Sequence, residues 1–99
     1  MTLKELIIAV KEQNLTKEKL EQYRDAMSHL FADYQLEMAD LEKKEALFMN
    51  RKTPDDSVAQ MKIYWKATTE GQRLIDLKRE SLALKELLNS LKSRLYSIY

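Results

Sequence analysis

At 99 residues the chain has room for one domain. A single Gly and a single Pro leave too few turn residues for a β-sandwich or barrel, and too few glycines for a nucleotide-binding loop; the absence of Cys excludes disulfides and thiolate metal sites. Lys plus Arg (17) and Asp plus Glu (16) nearly cancel, against a strongly basic nucleic-acid coat or an acidic DNA mimic over the whole chain.

The first predicted element is a short helix over about 2–13. Thr2 and Glu5 form a capping box, and Leu3, Leu6, Ile7 and Val10 fall on one face. Asn14 is a plausible stop, because Asn tolerates the left-handed conformation. Thr16 is then the N-cap of a second helix over about 17–51, with Leu15 and Leu20 as a hydrophobic staple. One heptad position of this helix reads Leu20, Met27, Tyr34, Leu41, Phe48; Phe31 and Met38 drift to one side of it, as a straight helix does against a seven-residue repeat.

A turn is expected over about 51–56, around Pro54. Two starts compete for the helix after it: Thr53 with Pro54 at the first helical position, and Ser57 with Gln60 completing a capping box. Thr53 is the preferred one, giving a helix over about 54–98. Its distal half carries Leu74, Leu77, Ser81, Leu84, Leu88, Leu91, Leu95 and Ile98 at alternating spacings of three and four, a coiled-coil seam with Ser81 its one polar member. Thr68-Thr69-Glu70-Gly71 is the expected site of a kink, since Gly weakens a helix and Thr caps one; bend, break and uninterrupted helix all stay open there.

These elements predict an all-α fold: an antiparallel, coiled-coil-like helical hairpin with a short N-terminal helix folded over Leu87, Leu91 and Leu95. Charge supports that pairing, because Asp25, Asp33, Glu37, Asp40 and Glu42 face Lys62, Lys66, Arg73, Lys78 and Arg79 when counted outward from the turn. No apolar run approaches the ~20 residues of a membrane span, and Met1-Thr2-Leu3-Lys4 does not open a signal peptide. A cytoplasmic location is expected.

Catalysis has little to work with. His29 is the lone histidine, and its helical neighbours Asp33, Glu37 and Asp40 share a face directed at water, without the inward Glu-x-x-His of a diiron bundle. The expectation is a protein that is not an enzyme, with no metal and no cofactor. Apolar surplus points instead to an interface. Phe48, Met49, Met61, Tyr64 and Trp65 gather near the turn, where aromatics and Met suit a protein partner. Ile75 and Leu82 lie off the main seam and are expected to bury against a second copy, giving a four-helix bundle.

The alternative is an accessory nucleic-acid binder. Residues 57–99 carry eight basic and four acidic side chains, against nine and twelve in residues 1–56. Lys78, Lys85 and Lys92 repeat every seven residues along one edge of the seam, with Arg73 and Arg94 on the other, so that a row could track phosphates.

Ser57-Val58-Ala59, Trp65-Lys66-Ala67-Thr68, Glu70-Gly71-Gln72-Arg73, Leu84-Lys85 and Ser90-Leu91-Lys92-Ser93-Arg94-Leu95 give the chain a further character. Across about residues 16–96 it resembles small helical proteins encoded by tailed phages and prophages among early genes for recombination and replication. The tryptophan segment and the Glu-Gly-Gln-Arg step carry that likeness. It implies a viral accessory protein of the bacterial host's cytoplasm, docking on phage DNA-processing proteins or on host proteins such as a defence nuclease, and assigns no catalytic or binding residue.

Overall fold

A computed structural model describes residues 1–12 and 14–98, except for the side chain of Ile98. The expected helix end at residue 13 and the last seam position, Ile98, therefore lie outside what is described. Among the described residues there are four helices and no strand: α1 (Leu3–Val10), α2 (Lys17–Met49), α3 (Val58–Ala67) and α4 (Thr69–Ile98). The fold is all-α.

Local chemistry sets each boundary. Thr2 caps α1 through Oγ1, which accepts from the Glu5 N–H at 3.2 Å. Asn14 takes φ 63°, the left-handed turn between α1 and α2. Thr16 caps α2 by accepting from the Lys19 N–H.

The turn after α2 corrects the sequence expectation. Thr53 does not begin a helix: its N–H and Oγ1 both donate to Asp56 Oδ2, at 3.2 and 3.0 Å, and its carbonyl accepts from the Asp56 N–H. Thr53-Pro54-Asp55-Asp56 is closed as a tight turn with Pro54 at its second position, where a fixed φ is favourable. The reciprocal capping box of Ser57 and Gln60 then starts α3, at 3.0 Å in both directions.

Of the outcomes left open there, the structure has a break, at Thr68, which is extended at ψ 157°. Its hydroxyl donates to the Trp65 carbonyl at 2.6 Å and accepts from the Gly71 N–H at 2.9 Å, so one side chain ends α3 and caps α4. The Gln72 side chain adds a bond to the Lys66 carbonyl across the break. Gly71 sits inside α4 at ordinary helical φ, and its role is steric. A Cβ there would lie 1.9 Å from the Trp65 carbonyl oxygen. The hydrogen lets α3 fold back onto the first turn of α4.

Cross-helix contacts run in opposite directions along α2 and α4. Gln35 meets Ser81, Glu37 meets Arg73 and Lys44 meets Glu70, so the hairpin is antiparallel. Leu20, Met27, Tyr34 and Leu41 of α2 bury against Leu74, Leu77, Leu84, Leu91 and Leu95 of α4. The seam's polar member, Ser81, is buried and accepts from Gln35 Nε2 at 3.2 Å, which satisfies it across the helix pair. Trp65 of α3 closes the turn end against Phe48, with ring centroids 5.6 Å apart and planes tilted by 52°.

At the open end, α1 adds Leu6 and Val10 to the same core, and Leu87 packs half-buried against it. Arg94 Nη1 donates to the Val10 carbonyl at 2.7 Å, tying the end of α1 to α4. The result is a rod of 60 × 20 × 17 Å with a radius of gyration of 18.3 Å. No described helix is long and apolar enough to cross a membrane.

Candidate docking groove

Successive helical residues turn by about 100°, so the residues flanking each seam divide onto two sides of the hairpin. On one side of the α2 stripe lie Leu30 and Glu37, facing Arg73, Glu80 and Leu87 of α4. On the other lie Phe31, Gln35 and Met38, facing Lys78, Leu82 and Lys85. Two grooves follow, and they are treated differently.

The first groove is occupied in part by the chain itself, with a depression of about 500 Å³ left between α1 and the hairpin. Helix α1 lies in its upper part, with Thr2, Leu3 and Ile7 beside Tyr34 and Glu80. Below α1 the groove is closed by charge: Arg73 makes a fork onto Glu37, Nε to Oε1 at 2.8 Å and Nη2 to Oε2 at 3.0 Å, with Glu80 at 3.9 Å from Nη1. Hydrogen bonding to that guanidinium holds the Glu37 carboxyl below its ordinary value. The Tyr34 phenol is raised by burial, and further by the neighbouring Glu80 carboxylate.

The second groove is open. Its floor is Phe31, Met38 and Leu82. Phe31 and Met38 are half-buried, while Leu82 is 58% exposed. A depression of about 260 Å³ runs among Phe31, Gln35, Met38, Lys78, Ser81, Leu82 and Lys85. A second one follows toward the chain end among Arg24, Lys92, Leu95 and Tyr96. The lining residues include four cations and no carboxylate.

The sequence-predicted residues sort themselves on this frame. The turn-end patch is corrected: Met61 and Trp65 are buried in the hairpin end, and Phe48 and Met49 are half-buried. Tyr64 alone of that set is exposed, because neighbours on a helix point about 100° apart and α3 turns the Trp65 face inward. Leu82 lines the open groove, while Ile75, seven residues before it on α4, is half-buried outside the depression. The basic row splits. Lys78, Lys85 and Lys92 rim the open groove, whereas Arg73 is engaged by Glu37 and Arg94 by the Val10 carbonyl on the α1 side.

Of the acidic and basic sets expected to face one another across the hairpin, Glu37–Arg73 is the pair formed among the described residues; the further cross-helix bridge joins Lys44 to Glu70. His29, Asp33 and Asp40 stand exposed on the outer face of α2. Among the described residues no cluster of three or more His, Asp or Glu side chains could hold a metal ion.

Sequence reading missed Phe31 and Met38 as groove floor. The signal was their seven-residue separation beside the main stripe, which repeats the spacing of Ile75 and Leu82 on α4. No family model matches this chain, and neither the curated proteins nor the solved structures contain a match to it.

Proposed function

We propose that this is a non-enzymatic interaction protein of phage type, which docks along the Phe31–Met38–Leu82 groove onto a helix of another protein. The observation that carries this reading is the asymmetry of the two grooves: the hairpin lays its own N-terminal helix into one and leaves the other, with its apolar floor, without a helix. Exposed apolar floors rimmed with charge are what partner surfaces use. A helix laid there would reproduce on the second side the packing α1 makes on the first.

A photo-reactive benzophenone amino acid placed at position 82 tests the reading in a lysate of phage-infected cells, with position 36 as control. Leu36 is 73% exposed on the outer face of α2 and serves as an equally apolar surface point. A discrete protein adduct at 82 and none at 36 is expected. Adducts of equal yield at both positions, or none at 82, would contradict it.

One observation favours a second reading, an accessory nucleic-acid binder: Lys78, Lys85 and Lys92 have no carboxylate partner among the described residues. Its signature is oligonucleotide binding at about 50 mM salt that weakens steeply as salt rises.

A further inference from the structure

Two cations of the hairpin are each held between two acids. Arg73 has Glu37 and Glu80, and Lys44 has Asp40 and Glu70. Along the open groove cations stand together without such acids. Lys78, Lys85 and Lys92 have no such partner among the described residues, and Arg24 reaches only its exposed neighbour Asp25 at 3.7 Å. The rim is therefore a row of cations beside an apolar floor, with no carboxylate lining it.

The spacing of the row carries more information than its charge. Seven residues of helix advance about 10.5 Å, which is the interval between successive lysines and also the interval at which a packed helix returns the same edge to its neighbour. An extended strand covers that interval in about three residues, an odd number, so its successive matching side chains would point to opposite faces. A row of this pitch suits a helix.

We propose, resting on the reading of this groove as a docking surface, that its occupant is an acidic amphipathic helix of another protein. Its apolar stripe packs on Phe31, Met38 and Leu82, and its Asp or Glu side chains recur every seven residues opposite Lys78, Lys85 and Lys92. From Lys78 to Tyr96 the groove runs about 27 Å, room for a helix of about 18 residues. A second copy of the chain is a poorer match, because it brings the same carboxylate-free, cationic rim to the seam. Nucleic acid would use the lysines and leave the apolar floor without a partner.

The test uses two synthetic 21-residue helical peptides with one shared leucine stripe. One carries Glu at the flanking heptad position and the other carries Lys. Fluorescence anisotropy at about 50 mM salt, where charge is least screened, is read alongside a 20-nucleotide single strand and a 20-base-pair duplex. The Glu peptide is expected to bind at least tenfold more tightly than the Lys peptide and than either oligonucleotide. Lys85→Glu should reverse the peptide preference, and Leu82→Asp should abolish binding of both. Both substitutions are at exposed positions, and unchanged helical circular dichroism confirms that each variant is folded.

Equal binding of the two peptides, lost in Leu82→Asp, would overturn the acidic partner and leave the docking groove standing. Absence of binding by either peptide would overturn both. Tighter oligonucleotide binding that depends on the three lysines would replace the proposal with the nucleic-acid reading. Sedimentation of the chain alone as a dimer that Leu82→Asp dissociates would assign the groove to a second copy.

Discussion

Gly71 is the residue on which the turn end depends. In an exposed helix interior, Gly→Ala stabilises by about 1 kcal/mol because it restricts the unfolded chain. Here the added methyl would meet the Trp65 carbonyl at 1.9 Å, and that atom is backbone and cannot swing aside. Gly71→Ala is expected to destabilise by about 1–3 kcal/mol, the range for overpacking, read as a lower urea midpoint. Trp65→Ala is expected to cost about 3–5 kcal/mol, since it empties a buried site shared with Phe48. A loss of partner binding in that variant would report unfolding, which is why the docking tests use Leu82 and Lys85.

Two titrations belong to the same scale. Glu37 is held below its ordinary value, so its contribution to stability is present above the usual carboxylate range near pH 4 and is lost as pH falls through its lowered value. With Glu37 and Arg73 side chains both 43% exposed, that contribution stays within about 1 kcal/mol, and Glu37→Gln should flatten the acid limb of the stability curve by no more than this. Tyr34 has the opposite sign. Its raised phenol keeps its contribution below about pH 10 and loses it as pH rises through the higher folded value, so Tyr34→Phe should remove part of the alkaline loss.

At the scale of elements, the caps were readable and the breaks were not. Thr2, Thr16 and the Ser57–Gln60 box each act where their spacing indicates, because capping is a matter of three or four neighbouring residues. The choice between Thr53 and Ser57 depended on Asp56 turning back to close the loop, a competition between two local hydrogen-bonding schemes that spacing leaves level. At Thr68 the sequence marked a weak point but not its outcome. A break there was decided by Trp65 needing to face Phe48 while Leu74 stayed in the seam, a long-range demand. Thr68→Ala removes both bonds of the hydroxyl and is expected to cost about 1–2 kcal/mol, measured by thermal unfolding. The same long-range demand explains the misplaced patch near the turn. Trp65 and Tyr64 are equally apolar in a sequence, and the fold-back of α3 buries one and exposes the other.

For the whole molecule, the proposed function rests on the difference between the groove that α1 enters and the one it leaves open. The seam, the seven-residue lysine row and the opposite placement of Arg73 and Arg94 were all legible as periodicity. What periodicity could not give was the side on which eight residues of α1 would settle, and hence which surplus apolar residues remained outside. Helix α1 takes the side where Leu6 and Val10 join the core and Arg94 can reach the Val10 carbonyl; Leu82 is left facing solvent as a consequence.

The most direct measurement is a titration of the ¹⁵N-labelled protein with the Glu-bearing peptide, followed by amide chemical-shift mapping. Shifts are expected to concentrate at Phe31, Gln35 and Met38 of α2 and at Lys78, Leu82 and Lys85 of α4, with α1 and the exposed face of α3 at Val58, Ile63 and Tyr64 unmoved. Shifts centred on α3 or α1, with the groove silent, would contradict it.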